Sequence, residues 1–206
     1  MSMKNSIKTN AIGLAIFAIF TAGLIAITQV ITKTKIAENE QQYRARLLFE
    51  ILPDADELMA EQPYSLHPDI FFNMELLSLT EPGEFYRDPV SKDVILTVVA
   101  PNGYTEAIKL LVGIDTAGTI KDIRVISHRE TPGLGDKIEI KKSDWILQFQ
   151  GKSLTVPTFE YWKVKKDGGE FDQLSGATVT PRAVVAAIAR SLEFYRLNQQ
   201  QLLEAE

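Results

Sequence analysis

The sequence predicts an α+β protein, with a single N-terminal transmembrane helix followed by a small domain in which helices flank an antiparallel meander sheet. Three observations support this prediction. Residues 9–32 contain no charged residue, three β-rich runs separated by glycine-containing turns follow residue 93, and a long amphipathic helical pattern closes the chain. We therefore divide the chain into residues 1–8, a helix over 9–32, a segment 33–92 and a domain 93–206.

The uncharged run is TNAIGLAIFAIFTAGLIAITQVIT. About 20 helical residues cross a bilayer, so its length is sufficient. A cleaved signal peptide has an apolar stretch of about 7–15 residues and a small-x-small cleavage site, and the run shows neither. A buried core helix more often has a polar face. The run is therefore predicted to be an uncleaved membrane anchor.

The charges around the anchor give only a weak indication of its orientation. Lys4 and Lys8 precede it and favour a cytoplasmic position for residues 1–8. Lys33 and Lys35 follow it and oppose that arrangement. The charge rule alone gives a weak preference for a domain on the outer side of the membrane.

Composition excludes several classes of function. The chain has no cysteine, which removes disulfides, cysteine-ligated iron–sulfur clusters and thioether-linked haem. It has two histidines, His67 and His128, far apart in sequence, so we expect no metal site. The net charge is −5 and no basic stripe is visible, which argues against nucleic acid as a partner.

Segment 33–92 is predicted to be a helical linker followed by an irregular stretch. Apolar residues from Ile36 to Leu52 recur at helical spacing, and Pro53 ends the pattern. The meander consists of VILTVVA, YTEAIKLLVGI and IKDIRVISH, which start at residues 94, 104 and 120. In the third run Ile123 and Val125 alternate with Arg124, which predicts a sheet with one buried face.

The stretch HRETPGLGDKI, residues 128–138, is predicted to be an irregular loop because Pro132, Gly133 and Gly135 interrupt regular structure. Glycine allows a backbone to approach a ligand closely. A plain connection between a strand and a helix has the same pattern, so both interpretations stay open. After it, Ser143 is a candidate cap for a short helix carrying Trp145 and Phe149.

The stretch FDQLSGATVTPRAVVAAI begins at residue 171 and leads into the last helix. Thr180 is the predicted N-cap and Pro181 the predicted first helical residue. The predicted apolar face consists of Val184, Val185, Ile188, Leu192 and Tyr195. The free N–H groups at a helix start bind anions, most often phosphate. Ser175, Thr178 and Thr180 are therefore either plain helix caps or part of a site that holds or carries a phosphate.

Two of these motifs resemble a known family. DQLSGAT, residues 172–178, resembles the flavinylation signal Asp-x-x-(Ser/Thr)-Gly-Ala-Thr of the FMN-binding domain family, and HRETPGLGDKI resembles its flavin-contacting loop. GYTEAIKLLVGID resembles the strand before that loop. With the anchor, nearly the whole chain is similar to the G-subunit family of Rnf (Rsx) ion-translocating oxidoreductase complexes. The nearest alternative is the C-subunit family of sodium-translocating NADH:quinone reductases, whose members are longer.

The resemblance implies a cofactor and a set of site residues. FMN would be joined by a phosphoester to Thr178, and Asp172 and Ser175 would serve recognition by a flavin transferase that uses FAD. Gly176 and Ala177 would keep the attachment site open. The residues around the flavin ring would be Thr131, Gly133, Leu134 and Gly135. No residue would act as an acid, base or nucleophile, because the flavin itself exchanges electrons.

The resemblance also implies partners and a location. The chain would be an electron relay among the other subunits of an Rnf complex, so catalysis belongs to the complex and stays uncertain for the isolated chain. It would be a single-pass protein of the bacterial inner membrane with its main domain in the periplasm, where the transferase acts. Two other classes of function stay open. One is a membrane-tethered module that binds a phosphorylated ligand reversibly, and the other is a structural assembly subunit in which the hydroxyl cluster is incidental.

Overall fold

The computed structural model describes residues 3–54, 63–80 and 83–205. The chain divides into two compact units, Met1–Arg44 and Ala45–Glu206, which are described separately. Helix α1 has the bounds Met3–Ile51 and contributes residues to both units. Its end at Ile51 agrees with the stop predicted at Pro53.

In the first unit, the apolar side chains of α1 are exposed on all sides. Phe17 and Phe20, for example, are 66% and 70% exposed. The helix is long and apolar enough to cross a membrane, with a mean hydropathy of 2.4 in its most apolar part. The hydroxyls of Thr21 and Thr28 donate to carbonyl oxygens one turn earlier, at 2.9 Å each. Such internal hydrogen bonding suits a helix surrounded by lipid, where no water is present to hydrogen-bond with polar groups.

The second unit is built on a five-stranded antiparallel sheet with strands in sequence order. This confirms the predicted α+β meander, since strands three to five correspond to the three β-rich runs. Register is regular between the third and fourth strands, where Val98 pairs with Leu110. The strands are β1 (Tyr64–Ser65), β2 (Glu84–Arg87), β3 (Val94–Ala100), β4 (Ile108–Ile114) and β5 (Ile120–Ser127).

The segment predicted to be irregular contains part of this sheet. Strands β1 and β2 and a 3₁₀ helix, Met74–Leu77, all lie between residues 53 and 92. Strands of two and four residues are too short to show an alternating pattern. The second compact unit begins at Ala45 and therefore includes this segment. Residues 55–62 and 81–82 of that segment lie outside the described residues.

Helix α2 (Val179–Glu204) covers one face of the sheet. Its predicted apolar face is confirmed, since Val184, Ile188 and Leu192 are at most 2% exposed. These side chains belong to the same core as the sheet residues Val98 and Leu110. Burying an aliphatic side chain of this size contributes about 1.5–3 kcal/mol, so this face holds α2 firmly on the sheet.

The opposite face of the sheet is covered too, so the prediction of a single buried face was wrong. Leu48 and Ile51 from the end of α1 pack on this face in a second apolar cluster. A Cβ on Gly113 would clash with Cγ2 of Ile51, so glycine permits this contact. Arg124, expected to face solvent, is 9% exposed and pairs with Asp122 at 2.7 Å. Burial of a charged side chain requires such pairing.

Candidate functional site

The segment before α2 is fixed at its start by a buried aromatic cluster. The centroid of the Phe171 ring lies 4.6 Å from that of the Trp162 ring. The indole N–H of Trp145 donates to the carbonyl oxygen of Asp172 at 2.7 Å, and the N–H of Asp172 donates to Oε1 of Gln148 at 2.7 Å. Because both backbone polar groups of Asp172 are held, the chain leaves the cluster in a defined direction.

Trp145 lies in a 3₁₀ helix, Asp144–Phe149, where a short helix was predicted. The hydroxyl of Ser143 accepts a hydrogen bond from the N–H of Trp145, as the predicted cap requires. The hydrogen bond to Ser143 therefore helps to fix the position of Trp145, and the indole of Trp145 in turn fixes Asp172.

Two exposed ion pairs hold the outer side of the segment 172–182. Lys165 contacts Asp172 and Arg182 contacts Asp167, with closest N–O distances of 2.6 Å in both pairs. The Asp172 carboxylate raises the pKa of Lys165, and the Arg182 guanidinium lowers the pKa of Asp167. Both pairs use a residue of the 3₁₀ turn Lys165–Asp167, so one short turn contacts both ends of the segment.

Gly176 forms the tight turn of the segment and brings it against the loop after β5. Its φ is +82°, in the left-handed region that favours glycine. A Cβ at this position would lie 2.7 Å from Cδ2 of Leu134. The two motifs singled out in the sequence therefore contact each other through Gly176 and Leu134.

Helix α2 begins two residues earlier than predicted. Its N-cap is Thr178 rather than Thr180, and Pro181 is not the first helical residue. Thr180 is 1% exposed, and its hydroxyl donates to the Glu130 carboxylate instead of capping the helix. The buried acceptor turns this side chain inward, so the tertiary contact overrides the local capping preference. Thr178 is exposed, and its side chain makes no capping hydrogen bond.

A cavity of about 330 Å³ lies between the loop and the start of α2. Six of the eight predicted cofactor-binding residues line it, namely Thr131, Leu134, Gly135, Gly176, Ala177 and Thr178. The other two, Gly133 and Ser175, are exposed and are not among its lining residues. The loop predicted to be irregular ends in a 3₁₀ turn, Gly135–Ile138, which brings Gly135 into the wall.

Sequence reasoning missed Glu130 as a lining residue. Glu130 is 4% exposed, and its Oε1 accepts a hydrogen bond from the N–H of Thr105 at 3.2 Å. A Cβ on Gly135 would lie 2.7 Å from Glu130 Oε2, so this glycine makes room for the carboxylate. The signal available in the sequence was an acidic residue inside a Pro/Gly-rich loop. The hydrogen-bond partners of that residue lie at distant positions in the sequence.

This arrangement suits a ligand with an apolar ring and a phosphate. Leu134, Ala177 and Val179 give the cavity apolar side chains. At one end Thr178 presents an exposed hydroxyl at the start of a helix of 26 residues. The free N–H groups and the dipole at that end favour a phosphate. FMN has both parts, so the residues present fit this cofactor.

Comparison with known families agrees with the site. Residues 103–193 match the family model of the FMN-binding domain, and residues 1–51 match that of the RnfG N-terminal region. The first match contains every lining residue named above. This part of the chain therefore carries an FMN-binding domain.

Similar proteins extend the match to the whole chain. Three of them are the G subunits of the ion-translocating oxidoreductase complexes of Vibrio vulnificus (strain YJ016), Pseudomonas aeruginosa (strain UCBPP-PA14) and Shewanella loihica (strain ATCC BAA-1088 / PV-4). They are 42%, 43% and 40% identical to it, and each match covers 98% of this chain and 95% of the relative. The chain belongs to the G-subunit family of ion-translocating oxidoreductase complexes.

Family membership decides between the alternatives considered from the sequence. It favours the G-subunit family over the C-subunit family of sodium-translocating NADH:quinone reductases. Together with the exposed apolar helix α1, it makes the chain a membrane-anchored protein.

Proposed function

We propose that the chain is an electron-transfer subunit of an ion-translocating oxidoreductase complex that carries FMN joined by a phosphoester to Thr178. The supporting observation is the position of Thr178, an exposed hydroxyl at the start of α2 on the rim of the cavity. FMN supplies reversible electron transfer when bound. The chain contains no cysteine for an iron–sulfur cluster, so other subunits exchange electrons with it.

The roles of the lining residues follow from their positions. Thr178 holds the phosphate, and the first N–H groups of α2 stabilise its negative charge. Leu134 and Ala177 exclude water from an apolar ring. Gly176 allows the attachment turn to approach Leu134, since a side chain there would clash.

The two neighbouring hydroxyls are poorer attachment sites. Thr180 is 1% exposed, and its hydroxyl donates to Glu130, so a transferase cannot reach it. Ser175 is exposed but does not line the cavity, so a flavin attached there would not be directed into it. Ser175 and Asp172 instead present exposed groups beside Thr178 that a flavin transferase recognises.

The second part of the proposal concerns topology. The main domain lies in the periplasm, where the transferase reaches Thr178, and residues 1–8 lie in the cytoplasm, as Lys4 and Lys8 favour. Protease added to spheroplasts that contain the full chain should digest the domain. Full protection of the domain in intact spheroplasts, with digestion after lysis, would contradict this orientation.

Denaturation of the purified protein tests the attachment. The full chain is co-expressed with a periplasmic flavin transferase, purified in detergent, denatured in guanidinium chloride and separated from small molecules. We expect flavin absorbance to remain with the chain, and to be missing when the transferase is omitted. Flavin or another phosphorylated ligand that leaves on denaturation would instead support the reversible binding module.

A further inference from the structure

Glu130 is a buried acid in the wall of the cavity. Glu130 is 4% exposed, yet it lines the cavity together with Thr178 and Leu134. Oε1 accepts from the backbone N–H of Thr105, and Oε2 accepts from the hydroxyl of Thr180. A carboxylate offers about four acceptor positions, so two positions stay available.

The negative charge of this group has no cationic partner in the part of the chain that the structure describes. The nearest basic residue in sequence, Arg129, pairs with Glu106 instead. His128 accepts a hydrogen bond from the backbone N–H of Glu130 and contacts the side chain of Glu139. A buried charge without an ion pair interacts strongly with any other charge nearby, because little water screens it.

Hydrogen bonds to Glu130 join three separate parts of the fold. Thr105 belongs to the connection before β4, Glu130 to the loop after β5, and Thr180 to the first turn of α2. Gly135 leaves space for the carboxylate, because a Cβ there would lie 2.7 Å from Oε2 of Glu130. The fold thus accommodates an acid at this point of the wall.

We propose that Glu130 sets the redox potential of the cofactor by placing a negative charge without an ion-pair partner beside it. This inference rests on the proposed function, since it requires a flavin in the cavity. Glu130 is part of the lining of the cavity that would hold the ring.

The direction of the effect follows from the charge change on reduction. Two electrons and one proton added to the neutral oxidised ring leave one net negative charge on it. A carboxylate in the wall repels that charge and therefore disfavours reduction. Glu130 is accordingly expected to hold the midpoint potential below the value that a neutral wall would give.

The test is a spectroelectrochemical titration of the flavin-loaded full chain in detergent at pH 7. Glu130→Gln keeps the shape of the side chain and removes its charge, so the midpoint potential should shift upward. Glu193→Gln is the matched control, because Glu193 is a partly buried acid of α2 that does not line the cavity. Its potential should equal that of the unaltered protein.

Two further variants separate charge from packing. Glu130→Asp keeps the charge and shortens the side chain, so its potential should stay close to that of the unaltered protein. Thr180→Val removes the hydroxyl that donates to the carboxylate and leaves the charge less compensated, so its potential should shift downward. Opposite shifts in Glu130→Gln and Thr180→Val are the signature of a charge effect, and Thr180→Val decides the matter if Glu130→Gln does not fold.

The outcomes distinguish this inference from the proposed function. Flavin that is absent from the unaltered protein would overturn the proposed function. Flavin that is attached but has the same potential in Glu130→Gln would overturn only the role of Glu130. Equal upward shifts in Glu130→Gln and Glu130→Asp would show that the side chain acts through packing alone, which contradicts the inference as well.

Discussion

The segment 172–182 has an inner and an outer side that are held by different forces. On the inner side the hydroxyl of Thr180 is 1% exposed and donates to the buried Glu130. On the outer side the pairs Lys165–Asp172 and Arg182–Asp167 stand in solvent, where ion pairs contribute little to stability. Breaking a buried hydrogen bond to a charged group costs more. The inner side therefore fixes the helix start, while the outer side leaves Thr178 accessible.

The largest effect on folding is expected on the inner side. Thr180→Ala removes one of two donors to the Glu130 carboxylate, and a buried group left without its partner costs about 1–3 kcal/mol. Urea denaturation of the full chain in detergent should show a lower free energy of unfolding by that amount. Covalent flavin should still be present on Thr178. A variant as stable as the unaltered protein would show that the two sides do not differ in the way described.

Gly176→Ala tests the contact between the attachment turn and the loop. Alanine in the left-handed region costs about 1–2 kcal/mol. Its Cβ would lie 2.7 Å from Cδ2 of Leu134 and would displace that side chain. Gly133→Ala is a matched control, because φ is +78° there and, beyond the two chain neighbours, no atom of the described residues lies within 4 Å of the added Cβ.

Both glycine variants should lose similar stability, but only Gly176→Ala should change the flavin absorption spectrum, because only there is a cavity side chain displaced. Urea denaturation and visible spectroscopy of the flavin-loaded protein measure the two effects. An equal spectral change in Gly133→Ala would show that Leu134 is not the cause.

The smallest effect is expected on the outer side. Arg182 lowers the pKa of Asp167 below its ordinary value of 3.8, so the pair contributes its stabilisation above that pH and loses it as the pH falls through the lowered pKa. Asp167→Asn should reduce the urea midpoint slightly at pH 7, and the difference should disappear in strong acid. A difference that persists unchanged in strong acid would mean that the ion pair is not its source.

The sequence alone predicted the parts of the fold that depend on local pattern. The uncharged run, the three long strands and the apolar face of α2 each show a composition or a period that local chemistry imposes. Only the family resemblance predicted that the two motifs belong to one site. Pattern by itself left the loop at residues 128–138 open between a plain connection and a ligand site.

The features that were missed depend on distant partners. Thr180 was assigned as a cap because its neighbours fit the capping pattern, but its partner Glu130 lies 50 positions away. Arg124 was placed in solvent because nothing local indicates that the end of α1 covers that face. Strands β1 and β2 are too short for a periodic signal, and pairing with β3 defines β2.

Mapping of the flavin on the protein tests the central claim most directly. Full chains carrying Thr178→Ala or Thr180→Ala are co-expressed with the transferase and examined by in-gel flavin fluorescence under denaturing conditions, followed by mass analysis of peptides. We expect the unaltered chain to carry one FMN on Thr178, Thr178→Ala to carry none, and Thr180→Ala to keep it. Covalent flavin that persists in Thr178→Ala, or a flavin-bearing peptide without Thr178, would contradict the account.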